Sequence, residues 1–175
     1  DENAVVLADG RRLDYDFLII ATGVTPRPDQ TPGMLDGGEW RRSVHEFYSY
    51  DGSVALADKL REWPGGRLVI HITEMPIKCP VAPLEFAFLA DAYFKDKGMR
   101  DKVEITYVTP LDAAFTKPIA AEAFGNTLEE KGITVVPDFM IESVDAEGRR
   151  IVAYDETEVP FDLLVTIPLN MGADY

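Results

Sequence analysis

The sequence predicts an α/β fold, a Rossmann-like three-layer dinucleotide-binding-type domain in which a parallel sheet is joined to a β-meander. Three observations predict it. Continuously apolar strands alternate with helices of 3.6-residue period through the middle of the chain. Glycine or proline marks the helix ends. Short apolar runs follow the last core strand, and such runs are typical of antiparallel strands.

Each helix is predicted from its apolar stripe and from the residues at its ends. Pro83 and Pro118 stand in the first turns of the second and third helices, where the missing N–H is not needed. Gly98 and Gly132 close the same two helices. Strand–helix–strand units wind right-handed, so this order predicts a doubly wound sheet. The predicted helices span residues 53–63, 84–97 and 118–131, and the core strands span 67–72, 103–108 and 133–136.

The two ends of the chain resemble each other. Val6 ends a short apolar run ten positions before Asp16, and Val152 ends a similar run ten positions before Asp162. Each copy predicts a hairpin that leads into a buried apolar strand, the first of them over residues 13–20. Two related domains would account for this internal repeat, and two unrelated meanders are the alternative.

Composition excludes several classes of function. The chain has 17 basic and 31 acidic residues, a net charge of -14, which disfavours nucleic acid as a partner. No apolar run reaches the roughly 18 residues of a membrane span, so we expect a soluble stretch without a membrane segment. No metal-ligand spacing is present, and the two solitary histidines, His45 and His71, are expected to be structural.

The loop after the strand at 67–72 is unlike a phosphate-binding turn. Dinucleotide domains need glycines there, so that backbone N–H groups can approach the pyrophosphate. Residues 73–83 contain three prolines and no glycine, and Glu74 adds a charge that repels phosphate. The acidic residue that would hold a ribose is also missing, since Asp112 lies too far along the chain. The domain is therefore predicted not to bind NAD(P)H.

Cys79, the single cysteine, lies in this loop. The neighbouring prolines stiffen the backbone, and Lys78 and the start of the following helix would favour the thiolate. Buried inert cysteines are also common. From the residues alone Cys79 is an inert thiol, a reactive thiol, or half of a bridge whose partner lies elsewhere.

A resemblance to a known superfamily appears in residues 15–23, Tyr-Asp-Phe-Leu-Ile-Ile-Ala-Thr-Gly. This run resembles the strand and Ala-Thr-Gly turn of two-dinucleotide-domain flavoproteins of the pyridine nucleotide-disulfide oxidoreductase superfamily. There the small-residue turn lies against the flavin dinucleotide. The resemblance implies FAD as cofactor, with Ala21, Thr22 and Gly23 as cofactor-binding residues and Lys78 as a fourth.

A second match is to one branch of that superfamily. Residues 76–86, 98–101 and 103–109 are similar to the sulfide:quinone oxidoreductase branch. The branch implies that sulfide attacks an enzyme sulfur bridge and that electrons pass through cysteine sulfur and flavin to a quinone. Cys79 would be the cysteine nearest the flavin. Many relatives carry another cysteine in the segment that matches residues 45–50, where this chain has none.

Other members of the superfamily remain alternatives, namely a type II NADH dehydrogenase or a flavocytochrome sulfide dehydrogenase subunit, as does a non-catalytic module that retains the fold. The resemblance assigns residues 1–28 to part of the flavin domain, as a hairpin and return strand. It assigns residues 29–167 to a second dinucleotide-type domain and 168–175 to the return towards the first. We expect the full-length parent, but not this stretch alone, to retain FAD. The parent is expected to be peripheral at a prokaryotic cytoplasmic membrane, through residues downstream.

Overall fold

A five-stranded parallel sheet forms the centre of the computed structural model, which describes residues 3–173. The strands are β1 (Ala4–Val6), β2 (Arg12–Asp14), β3 (Thr25–Arg27), β4 (Val44–His45), β5 (Gly66–Ile72), β6 (Val103–Val108), β7 (Ile133–Val136), β8 (Ile141–Asp145), β9 (Arg150–Ala153), β10 (Glu158–Pro160), β11 (Leu163–Ile167) and β12 (Leu169–Met171). The helices are α1 (Tyr50–Glu62), α2 (Ala82–Asp96) and α3 (Pro118–Glu130). Within this range no helix is long and apolar enough to cross a membrane.

The strand order of the central sheet is β4-β11-β5-β6-β7, and all neighbours are parallel. From β4 through β5 and β6 to β7 the chain moves in one direction across the sheet. Right-handed crossovers therefore put all three helices on one face. The return from β7 to β11 runs in the opposite direction, and it puts the antiparallel sheet β10-β9-β8 on the other face.

Two apolar cores fill the spaces on either side of the sheet. Leu68 and Ile70 of β5 pack with the helices in one core, whereas Val69 packs with the meander in the other. This alternation follows from the two-residue period of a strand. The predicted three-layer α/β fold is confirmed. The third layer is the meander, so the predicted doubly wound arrangement, with helices on both faces of the sheet, is wrong.

Helices α1 and α2 begin slightly earlier than the sequence predicts. α1 starts at Tyr50 rather than residue 53, because the Ser49 hydroxyl accepts the Gly52 N–H at 3.0 Å and caps the helix. α2 starts at Ala82, which places Pro83 in its first turn as expected. α3 begins at Pro118, also as expected.

The similarity between the two ends of the chain extends to hairpin register. Val5 of β1 pairs with Leu13 of β2, and the corresponding Ile151 of β9 pairs with Val159 of β10. After each hairpin, however, the two copies differ. The second continues into β11, which lies between β4 and β5 and is buried along its whole length.

The predicted buried strand over residues 13–20 is wrong. β2 ends at Asp14, and residues 15–24 lie in no strand. Phe17 is 93% exposed and Ile19 88% exposed. A strand needs neighbours for its backbone N–H and C=O groups. Among residues 3–173 no strand flanks this segment, in contrast to β11.

A small antiparallel pair joins the two connecting segments. β3 pairs with β12, with Pro26 opposite Asn170. These strands lie close to the predicted boundaries at residues 28–29 and 167–168. The division into two domains stays a prediction. The β3–β12 pair brings the two predicted domain boundaries close together.

Asp91 is a buried charge that joins separate elements. Its side chain on α2 is 1% exposed, and it accepts hydrogen bonds from Lys95 at 2.8 Å, Arg100 at 2.7 Å and Lys131 at 3.2 Å. Burial alone would raise the pKa of Asp91, but these three cations outweigh it and lower the pKa to about 2. Arg100 also donates to the Lys131 carbonyl oxygen at 2.9 Å, just beyond the end of α3.

His71 gives the fold a pH dependence. The residue is fully buried in β5, with Nδ1 2.9 Å from Thr166 Oγ1, and burial lowers its pKa to about 3. Between pH 6.5 and 3 the unfolded chain therefore binds a proton that the folded chain does not, so stability falls as the pH falls. From pH 7 to 5 we expect this histidine to cost about 2 kcal/mol of unfolding free energy.

Urea unfolding at the two pH values measures this cost, and a His71→Gln variant should lose most of the dependence. The residual slope belongs to His45, whose pKa burial also lowers. Nitrogen NMR of the His71 ring gives a second readout. A charged ring in the folded protein at pH 5 would contradict the prediction.

Candidate functional site

The loop between β5 and α2 leaves the carboxyl end of the parallel sheet, which is where α/β proteins bind ligands. Ile77 anchors the middle of the loop in the helix-side core, and the Met75–Pro76 peptide is cis. Thr73 holds the loop's start through its N–H, which donates to the Ile167 carbonyl at 3.1 Å. Cys79 follows this anchored stretch and is partly exposed. It is a free thiol in the described chain.

Tyr48 fixes the backbone at Cys79. Its hydroxyl donates to the Cys79 carbonyl oxygen at 2.5 Å, across 31 positions of sequence. Burial and the neighbouring Cys79 raise the pKa of Tyr48 to about 12. The phenol therefore stays protonated, and remains a hydrogen-bond donor, throughout the physiological range.

Cys79 opens into a shallow depression of about 230 Å³. Its lining consists of Phe47, Tyr48, Lys78, Cys79 and Ala82. Phe47 is stacked on Phe86 of α2, with 5.0 Å between ring centroids. The thiol thus lies in a recess with aromatic walls and one lysine at its edge.

The segment 45–50 is held rigidly beside this recess by Glu46. That carboxylate, in a residue only 4% exposed, accepts the Tyr48 N–H at 2.5 Å, the Ser49 N–H at 2.9 Å and the Ser49 hydroxyl. A Cβ at Gly52 would lie 1.8 Å from Glu46 Oε1, so only glycine fits there. The sequence indicated this segment only through the cysteine that relatives carry in it. The structure brings it against Cys79.

Asn170 ties the loop to the connecting strands. Its Oδ1 accepts the Lys78 N–H at 3.2 Å, and its Nδ2 donates to the Pro168 carbonyl at 2.8 Å. Asn170 also lies opposite Pro26 in the β3–β12 pair. The loop that carries Cys79 is therefore linked to the segment that follows Gly23. Nothing in the sequence singled out Asn170.

Ala21, Thr22 and Gly23 are exposed and do not line the recess. Gly23 adopts φ +73°, and a Cβ there would meet no atom within 4 Å. These three residues lie in no strand, so an approaching ligand would meet small side chains and open backbone. Such a segment fits the close passage of a dinucleotide, and the role of these residues stays a prediction. Lys78 is exposed at the recess, with Cys79.

The start of α2 lies three residues beyond Cys79. The Ala82 N–H donates to the Cys79 carbonyl at 3.3 Å, and no side chain caps the helix. The helix start thus contacts the cysteine's backbone, and stabilisation of the thiolate by the helix stays a prediction. Of the other candidates, His45 and His71 are both buried away from the recess. No cluster of potential metal ligands occurs in the part of the chain that the structure describes.

No family model matches the chain. The mitochondrial sulfide:quinone oxidoreductase of Dictyostelium discoideum is 26% identical over 174 residues, covering 96% of this chain and 38% of that protein. The mouse mitochondrial sulfide:quinone oxidoreductase is 27% identical over 135 residues, covering 77% and 30%. A solved sulfide:quinone oxidoreductase from Aquifex aeolicus matches with a TM-score of 0.79 at 20% identity, covering 98% of this chain and 40% of that one.

The fold and these relatives support a place for the chain in the pyridine nucleotide-disulfide oxidoreductase superfamily. A ferredoxin–NAD(+) reductase component from Pseudomonas putida, 26% identical over 183 residues, is similar over 90% of this chain and 44% of its own length. Within the superfamily, the similarity to these mitochondrial proteins supports the sulfide:quinone oxidoreductase-like branch. It spans two fifths or less of the length of the sulfide:quinone oxidoreductases compared above.

Proposed function

We propose that this chain is the sulfur-handling part of an FAD-dependent oxidoreductase that takes electrons from sulfide and passes them to a quinone. The observation that carries the proposal is the placement of Cys79. The residue is partly exposed in an aromatic recess at the carboxyl edge of the sheet, on a glycine-free loop anchored by Tyr48 and Asn170. A fixed, accessible sulfur at a ligand-binding edge suits thiol–disulfide chemistry.

The proposed sulfur step needs a second cysteine from outside this sequence, because Cys79 is the only one in it. Hydrosulfide attacks the bridge between the two cysteines. One sulfur–sulfur bond forms, the bridging bond breaks, one cysteine becomes a persulfide and the other leaves as a thiolate. Cys79 is the cysteine proposed to pass the two electrons on. Tyr48 holds its backbone in place, and Lys78 lines the same recess.

FAD would supply the two-electron acceptor from which the quinone is reduced. Ala21, Thr22 and Gly23 would lie along it with their open backbone, and Lys78 would face it from the recess. These four residues are all that the proposal assigns to FAD within the 175-residue chain, so we do not expect the chain by itself to retain flavin tightly. Because quinones are dissolved in the lipid bilayer, the proposal also places the full-length protein at a membrane surface.

NADH should not act as the electron donor. The loop at the carboxyl end of β5 has no glycine, and its prolines at 76, 80 and 83 cannot donate N–H groups to a pyrophosphate. We expect sulfide, but not NADH, to bleach the flavin of the full-length protein, and added quinone to restore the colour. Calorimetry should detect no NADH binding to the chain.

This experiment separates the proposal from its rivals. Bleaching of the flavin by NADH, together with NADH binding at a micromolar dissociation constant, would favour an NADH dehydrogenase or a ferredoxin reductase. Full-length protein purified without flavin would favour a non-catalytic module. Either result would overturn the proposed function.

A further inference from the structure

A polar pocket of about 380 Å³ lies at the edge of the sheet opposite the Cys79 loop. Three of the segments that form it precede strands of the parallel sheet: Ser43 precedes β4, Gly65 precedes β5, and Asp162 precedes β11. The pocket is thus at the amino ends of these strands. It belongs to no part of the proposed sulfur site.

Three cations line this pocket, namely Arg42, Lys59 and Arg149. None of the three forms an ion pair within residues 3–173, whereas Arg67 pairs with Asp162 at the pocket itself. The chain as a whole carries a net charge of -14. The three cations of the pocket outnumber its two carboxylates, Glu39 and Asp162, so the local charge is opposite in sign to that of the whole chain.

The two carboxylates in the pocket already have partners. Asp162 accepts hydrogen bonds from the Arg67 N–H at 2.8 Å and from its guanidinium at 2.9 and 3.0 Å. Glu39 accepts the Ser43 hydroxyl at 2.6 Å. The carbonyls at the end of α1 are occupied as well, since Lys97 Nζ donates to the Leu60 and Arg61 oxygens at 3.3 and 2.9 Å. Asp162 is thus paired with Arg67, and the nearby charge of Arg149 also lowers the pKa of Asp162. Among the described residues, Arg42 and Lys59 have no carboxylate within ion-pair distance, and Arg149 forms no direct ion pair.

One further feature agrees with a positive potential at this edge. Besides its burial, the charges of Lys59 and Arg41 lower the pKa of the nearby His45.

We propose that this pocket binds a small oxyanion of the phosphate or sulfate type through Arg42, Lys59 and Arg149. Guanidinium and ammonium groups form charge-assisted hydrogen bonds with such oxygens. The volume admits one tetrahedral anion and its hydration. This proposal is independent of the proposed function, because the two sites lie at opposite edges of the sheet.

Calorimetric titration of the 175-residue chain with inorganic phosphate, at ionic strength held constant with sodium chloride, tests the proposal. We expect saturable binding with a dissociation constant on the order of 1 mM or tighter. Arg42→Gln and Lys59→Gln should each weaken it about tenfold. The matched control is Lys117→Gln, which removes one unpaired, exposed charge outside the pocket and should leave binding unchanged.

Two further titrations, with sulfate and with adenosine monophosphate, identify the source of the anion. Sulfate that binds as well as phosphate indicates a general oxyanion site, and tighter binding of adenosine monophosphate indicates the phosphate of a nucleotide. Both results support the proposal. Absence of saturation, or equal weakening by Lys117→Gln, would overturn it. Thermal melts of the variants show that each is folded.

Discussion

Replacement of Cys79 with serine in the full-length protein is expected to abolish flavin bleaching by sulfide, slowing it by at least about a hundredfold. The hydroxyl of serine is a far weaker nucleophile than a thiolate at neutral pH and forms no sulfur bridge. The substitution changes one atom of a partly exposed side chain, so the fold should be retained. Stopped-flow absorbance of the bound flavin after addition of sulfide measures the rate.

The control for this experiment is Thr116→Ser, a comparably small change in the exposed loop before α3. It should bleach at the wild-type rate. A Cys79→Ser protein that also bleaches at that rate would remove Cys79 from the mechanism, and with it the proposed route of electrons. Retention of the flavin spectrum in the variant shows that cofactor binding is intact.

Replacement of Asp91 with asparagine is expected to produce the largest loss of stability among single changes at charged residues, about 2–3 kcal/mol. The carboxylate is buried, and three cations converge on it, one within α2, one in the turn after α2 and one just beyond α3. Removing one member of such a group leaves the others uncompensated. The expected loss of stability is smaller than is usual for breaking a buried ion pair, because the Lys95 side chain is half exposed and solvent screens its charge. Urea unfolding at pH 7 measures the difference.

The matched control is Asp96→Asn on the exposed side of α2, which should change stability by less than about 0.5 kcal/mol. The pH dependence gives a second signature. The pKa of Asp91 is lowered from 3.8 to about 2 by its cations, so its contribution is present above pH 4 and is lost as the pH falls to 2. The wild type and Asp91→Asn should therefore become equally stable near pH 2. A constant difference down to that pH would contradict this origin.

The fold was predictable because its elements are local. The stripe of α2 and the apolar run of β5 each specify an element within about fifteen residues, and the handedness of crossovers orders the strands. The strand predicted over residues 13–20 shows where this reasoning fails. Its pattern matches that of β11, yet only β11 has strands on both sides. Hydrophobic pattern sets a preference for strand, and neighbours decide whether it forms.

The candidate site was predictable only in part. Cys79 stands out because it is a unique residue in an unusual loop. Its supporting residues do not, since Tyr48 is 31 positions and Asn170 about 90 positions away in sequence. Contacts of that range depend on the completed sheet, and no local pattern encodes them. The polar pocket at the opposite edge has the same origin, because Arg42, Lys59 and Arg149 come from three separate segments.

The position of β11 also bears on how this polypeptide is made. It is the last strand of the parallel sheet to leave the ribosome, yet it occupies an interior place between β4 and β5, 95 positions after its partners in β5. Until residues 163–167 emerge, β4 has no neighbour in that sheet and one edge of β5 stays unpaired. Pairings of such long range form slowly. The nascent chain therefore passes through an interval in which two apolar strand edges are open to other proteins, and chaperones would act in that interval.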